Sequence, residues 1–215
     1  MHWSDEGYLV EINSNKENSS IAKVFTKQNG FYVGIVYGSS SSKKKPELQI
    51  GNKLKINYKS KTEDSIGYFG IELIENISIK FFNEKLKLNL YLTSLSLLSK
   101  VLPERQRYEN IFKQYENFLE ELKTDNLKPY LIWEYHLLKN LGYGVDEDDS
   151  EFDIENIKKI LKYSDSDYHF NDLINIYRLN TNILKTRLNE VIDISKINKR
   201  SEIENYLNEK QHNQR

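Results

Sequence analysis

Ten lysines fall between Asn13 and Lys61 (Lys16, Lys23, Lys27, Lys43, Lys44, Lys45, Lys53, Lys55, Lys59 and Lys61), opposed there only by Glu17 and Glu47. On a chain whose net charge is −1, so local an excess points to a polyanionic partner. Aromatic residues alternate with these lysines: Phe31, Tyr32, Tyr37, Tyr58 and Tyr68. Lysines neutralise phosphates and release counterions, while aromatic faces accept stacked bases with little regard to sequence. Strand aromatics also fill barrel interiors, so from the residues alone the two readings of these rings stand side by side. Lys43, Lys44 and Lys45 are less ambiguous, because three adjacent lysines after four serines have no packing role.

Other chemistry is sparsely represented. His2, His136, His169 and His212 have no partner at metal-ligand spacing and read as structural or surface residues. Gly142-Tyr-Gly144 lacks the rest of a dinucleotide fingerprint and fits helix termination better. The acidic run Asp146 to Asp153 offers Asp146 and Asp148 to a calcium loop, but that register puts Glu151 where glycine is required and Ile157 where a bidentate glutamate belongs. A solvated acidic loop is the simpler reading. With no nucleophile or phosphate-loop motif, the expectation is a protein that is not an enzyme, with no cofactor, no metal and no small-molecule substrate. The absence of cysteine excludes disulfides and thiolate sites and suits a reducing cytoplasm. No stretch approaches 18 consecutive apolar residues, so no membrane span is expected.

The elements that must position the basic stretch follow from periodicity. Strands are predicted at Gly7 to Asn13, Ser20 to Thr26, Phe31 to Tyr37, Leu54 to Tyr58 and Tyr68 to Ile74. The pair Asn29-Gly30 suits a hairpin, Gly34 suggests a bulge or bend, and Gly38 to Lys45 reads as a mobile loop. Five short strands in about eighty residues favour a small closed barrel, which removes exposed edges. After Asn76 the pattern turns helical: Lys85 to before Pro103, Tyr108 to Leu122, a helix opened by Pro129 and capped by Gly142, Ile154 to Lys162, and Phe170 to about Val191 with Val191 inward. Ser201 and Glu204 have capping-box spacing for a last helix, with a frayed tail from Lys210. The expected fold class is α+β in two domains: a five-stranded barrel at 1–80 and an all-α domain at 81–215, without a zinc finger.

Several segments in order resemble the RecO family of bacterial DNA repair and recombination mediators. They are Trp3-Ser-Asp-Glu-Gly7, Ser20 to Gly30, Val36-Tyr-Gly38, Leu48-Gln-Ile-Gly51, Gly67-Tyr-Phe-Gly70, Leu102-Pro-Glu-Arg105 and Trp133 to Gly144. The resemblance implies that the N-terminal barrel is an OB-fold followed by a helical domain, in a cytoplasmic, nucleoid-associated protein that binds single- and double-stranded DNA and anneals complementary strands. It also implies contact with the C-terminal tail of single-strand binding protein, and work with RecR to load RecA. By that resemblance DNA contact would fall on Lys27, Tyr37, Lys43, Lys44 and Lys45, to which the basic stretch adds Lys23, Lys59 and Lys61, and partner contact on Arg105 and Lys139. The chain departs from the family after Gly144, where the acidic loop 146–153 replaces a cysteine-bearing segment. Two other classes stay open: a protein-interaction adaptor, and an RNA-binding OB-fold protein.

Overall fold

A computed structural model describes residues 1–125, 127–145, 154–162 and 168–213; the acidic run 146–153 lies outside them. Five strands, β1 (His2–Lys16), β2 (Ser19–Thr26), β3 (Gly30–Tyr37), β4 (Asn52–Lys59) and β5 (Gly67–Asn76), close into a barrel of order β1-β2-β3-β5-β4. The helices are α1 (Ile77–Lys80), α2 (Lys85–Val101), α3 (Glu109–Glu121), α4 (Leu127–Asn140), α5 (Ile154–Lys162), α6 (Phe170–Thr186) and α7 (Arg200–His212). The expected α+β architecture, a five-stranded barrel followed by helices, is the observed one. The chain divides into two compact units, Met1–Lys113 and Gln114–Arg215.

In the first unit, β1 is more than twice as long as the alternation at Gly7 to Asn13 suggests. Its first half pairs with β4, from His2 opposite Lys59 to Tyr8 opposite Lys53, and its second half pairs with β2. A shared strand of this kind closes a small barrel, and a register shift between Leu9 and Glu11 lets it change partners. Gly7 sits at the crossover, where an added Cβ would lie 2.4 Å from the Phe25 carbonyl oxygen.

Leu9, Val24, Val36, Leu54, Ile56 and Ile71 form the barrel core. One end is plugged by rings: Trp3 stacks on Tyr58 with centroids 5.0 Å apart, and Tyr32 and Phe69 lie against Tyr58 at 5.3 Å each. These rings explain Gly34. The β2–β3 ladder runs without a register shift, so Gly34 marks no bulge; instead a Cβ there would meet the Phe69 ring at 2.7 Å.

The turn between β2 and β3 is held from outside the hairpin. Buried Asp5 accepts hydrogen bonds from the backbone N–H groups of Gln28 (2.8 Å) and Asn29 (2.9 Å), and from the Asn29 side chain (2.9 Å). Asp5→Ala strands those donors, and a charged acceptor is worth more than a neutral one. The expected loss is about 2–3 kcal/mol of unfolding free energy, read by urea denaturation; a change below about 0.5 kcal/mol, the range of an indifferent surface site, would show that water replaces the carboxylate.

In the second unit, α4 begins two residues before Pro129, which still falls in the first turn where its missing N–H costs nothing. Gly142 adopts φ +89 after α4, as a cap requires. Helix α6 stops at Thr186, short of the expected Val191, and Val191 is exposed while Ile192 turns inward. The last helix starts at Arg200 with Lys199 left-handed before it, so the Ser201–Glu204 spacing is not a capping box. It also runs on through Lys210 to His212.

Candidate nucleic-acid interface

The barrel sorts the interleaved aromatics into two groups. Tyr32 and Tyr58 point inward and belong to the core plug, and Phe31 is buried as well. Tyr37 and Tyr68 point outward, 62% and 45% exposed. Strands β3 and β5 run parallel with Gly34 beside Gly67 and Ile35 beside Tyr68, which brings the two outer rings together at 6.3 Å between centroids and 55° between planes. Closeness of these strands depends on glycine: a Cβ at Gly34 of β3 would lie 2.7 Å from the Phe69 ring of β5. Gly70, two residues along the same face from Tyr68, leaves that surface low, with nothing nearer to its missing Cβ than Asn57 at 3.7 Å.

Lys59 stands directly across from Tyr68 on β4, with His2 on its other side. Lys61 follows in the exposed loop 60–66. The loop bearing Lys43, Lys44 and Lys45 leaves β3 immediately after Tyr37. It is a series of hydrogen-bonded turns: Lys44 and Lys45 N–H groups donate to the Ser41 carbonyl at 3.1 Å, and Leu48 N–H to the Lys44 carbonyl. Its ends are tied down, by Ser39 to Ser20 and Ser40 to Asn18 at the start and by the Asn52 amide to the Pro46 and Glu47 carbonyls at the finish. Lys43 and Lys45 stay exposed and Lys44 is half-buried.

The other cations expected from sequence have different surroundings. Lys23 is on β2, 3.1 Å from the Glu11 carboxylate. Burial pushes the Glu11 carboxyl up, but hydrogen bonds from Ser99, Lys23 and Asn13, together with the Lys23 charge, outweigh it and leave Glu11 below its ordinary value. Glu11 thus stays ionised and occupies Lys23. Lys27 sits at the β2–β3 turn, separated from Tyr37 by the length of β3, about 23 Å at the usual strand rise. Lys55 faces Glu6 and Glu72 in register on its two neighbours. Arg105 turns back onto loop 60–66, donating to the Glu63, Asp64 and Ser65 carbonyls. Lys139 is exposed on the last turn of α4 in the other unit.

The surface that results is a pair of outward rings with Lys59 in register and lysine-bearing loops at either side. Base planes can lie on the rings while the ammonium groups meet phosphates. Tyr68 was not singled out as a binding residue from sequence, although a signal existed: in Tyr68-Phe69-Gly70-Ile71-Glu72, alternation puts Tyr68 on the same side as Glu72, away from Phe69 and Ile71.

Two family models match the chain in order: Recombination protein O N terminal over residues 1–77 and Recombination protein O C terminal over residues 85–159. Proteins named DNA repair protein RecO from Ruegeria sp. and Dinoroseobacter shibae are each 32% identical to it over 148 residues, 68% of this chain and 61% of theirs. A third, from Jannaschia sp., is 31% identical over 147 residues, 68% of this chain and 60% of its own. The similarity thus spans about three fifths of each relative's length. Since the first model covers the closed barrel and the second takes up the helices that follow it, the chain belongs to the RecO family of DNA repair proteins.

Proposed function

We propose that this protein is a non-catalytic mediator of DNA repair and recombination whose barrel binds single- and double-stranded DNA. The observation that carries the reading is the exposed Tyr37–Tyr68 pair with Lys59 across from it and the Lys43–Lys45 loop beside it. Stacking on the rings favours unpaired bases, and the lysines engage either form of DNA through phosphate. Held side by side in this way, complementary strands anneal. By its family, the protein works with RecR to help load RecA onto DNA covered by single-strand binding protein, whose acidic tail docks on the helical domain near cations such as Lys139. Such a protein acts in the cytoplasm, at the nucleoid. The division we adopt places the nucleic-acid domain at 1–80 and the helical domain at 81–215.

The test is a salt series with a fluorescent single-stranded oligonucleotide. Lys43→Ala/Lys44→Ala/Lys45→Ala is expected to lower the log-log slope by about 1 to 2, since each single-strand phosphate left without its lysine takes roughly 0.7 from the slope. An unchanged slope with undiminished affinity moves the phosphates off this loop.

A second reading, the barrel as a protein-docking platform, draws on the exposed apolar residues Leu73, Ile74, Ile79 and Phe82 at the end of β5 and around α1. It expects DNA binding to be absent or insensitive to salt.

A further inference from the structure

The chain between α2 and α3 passes back across the mouth of the barrel, and Arg105 is its fixed point. The Arg105 N–H donates to the Phe31 carbonyl at 2.7 Å, and Phe31 N–H donates to the Gln106 carbonyl at 3.3 Å, so the segment pairs with the start of β3. The approach is close enough that a Cβ on Gly30 would overlap the Gln106 carbonyl. Arg105 itself holds φ at +62, a left-handed conformation that a residue with a side chain adopts only when its surroundings enforce it. That conformation sends its guanidinium to three successive carbonyls of loop 60–66: Glu63, Asp64 at 3.2 Å and Ser65 at 3.2 Å. A planar fork with five N–H donors suits such an arc, where an ammonium point charge does not.

Loop 60–66 joins Lys59 to the strand that begins at Gly67 and carries Tyr68, and it holds Lys61. Its base is secured by Met1 and Ser60, which exchange backbone hydrogen bonds. Its middle is secured by Arg105. The same loop carries Glu63 and Asp64, whose charges oppose a polyanion, and the guanidinium brings a positive charge to that stretch.

We propose that Arg105 is a positioning residue for nucleic acid. It holds the β4–β5 loop in the shape that presents Lys59, Lys61 and Tyr68 to a strand, and does so through the loop carbonyls rather than by touching the strand. The proposal rests on the DNA reading above. It assigns Arg105 a role within the barrel in place of the partner-binding role expected from sequence.

Wild type, Arg105→Ala and Arg105→Lys would be compared in two measurements: amide exchange across residues 61–67 in the free protein, and affinity for a fluorescein-labelled oligothymidine. In Arg105→Ala, exchange in that loop rises by about tenfold, the lower end of what a charge-assisted hydrogen bond contributes, and affinity falls with it. Arg105→Lys keeps the charge and restores neither, which direct binding to phosphate would not predict; this variant also serves if Arg105→Ala fails to fold. Three results overturn the proposal alone: reduced affinity with loop exchange unchanged, loop exchange raised with affinity unchanged, or full affinity in Arg105→Lys. Failure of wild type to bind the oligothymidine overturns the DNA reading and this proposal with it.

Discussion

Glu134→Gln is expected to destabilise the helical unit by about 3–5 kcal/mol, the usual cost of leaving one charge of a buried pair without its counterpart. Glu134 on α4 is wholly buried and accepts hydrogen bonds from Tyr130 at 3.0 Å, from Asn180 of α6 at 3.1 Å and from Arg200 of α7. Arg200 also donates to Thr181 at 2.9 Å and lies 5.0 Å from the centre of the Tyr177 ring. Burial by itself would lower the Arg200 guanidinium, yet the Glu134 charge holds it above its ordinary value. Burial and the same carboxylate push the Tyr130 phenol well up, and burial takes Tyr177 to about 12. The cluster therefore holds two neutral phenols at neutral pH around the Arg200 guanidinium, which is paired with the Glu134 carboxylate. Removing the anion strands the cation.

Urea unfolding with amide exchange resolved over α4, α6 and α7 measures this loss. The double replacement Glu134→Leu/Arg200→Met should recover most of it, because apolar side chains of similar volume need no counter-charge. A Glu134→Gln protein within about 0.5 kcal/mol of wild type, the scale of an indifferent substitution, would show that Arg200 keeps its hydration and that the pair does not organise these helices.

Tyr37→Ala/Tyr68→Ala should lose the second-largest amount, and in binding rather than stability. Stacking contributes about 1–3 kcal/mol per base, so each ring removed lowers single-strand affinity by about 5- to 150-fold. Both side chains project from the barrel surface, so the fold should be little affected. The salt slope should stay where it is, because no charge is lost; the lysine-loop variant does the reverse, changing slope before anything else. Duplex binding should change little, since paired bases are already stacked on each other. Tyr37→Phe/Tyr68→Phe keeps the ring faces and should bind as wild type. Unchanged single-strand affinity in the alanine variant would remove stacking from the mechanism and leave electrostatics alone.

Much of the barrel was legible because strand periodicity is local: Leu54-Lys-Ile-Asn-Tyr58 alternates, and Leu54, Ile56 and Tyr58 are the buried residues. Helix faces were legible for the same reason, as with Ile111, Phe112, Tyr115, Phe118 and Leu119, all buried. Local patterns failed where a distant group set the outcome. Ser201 and Glu204 have the spacing of a cap, but Arg200 is drawn into the Glu134 cluster and the helix begins there. Gly34 reads as a bend until Phe69, thirty-five residues on, is seen to fill the space a side chain would need.

The sequence by itself determined that this is a five-stranded barrel followed by helices, that a local excess of lysine lies between Asn13 and Lys61, and which family it resembles. Those properties depend on composition, period and order along the chain. Only the tertiary structure decided which rings meet and which cations remain available. Tyr32 is enclosed by Trp3 and Tyr58, and Tyr68, whose side of β5 the alternation already indicates, meets Tyr37 across a parallel pairing. Lys23 and Lys59 are both strand lysines, yet one faces Glu11 and the other faces Tyr68. Register between strands far apart in the chain makes these distinctions, and shifting it by one residue would turn each of those side chains to the opposite face.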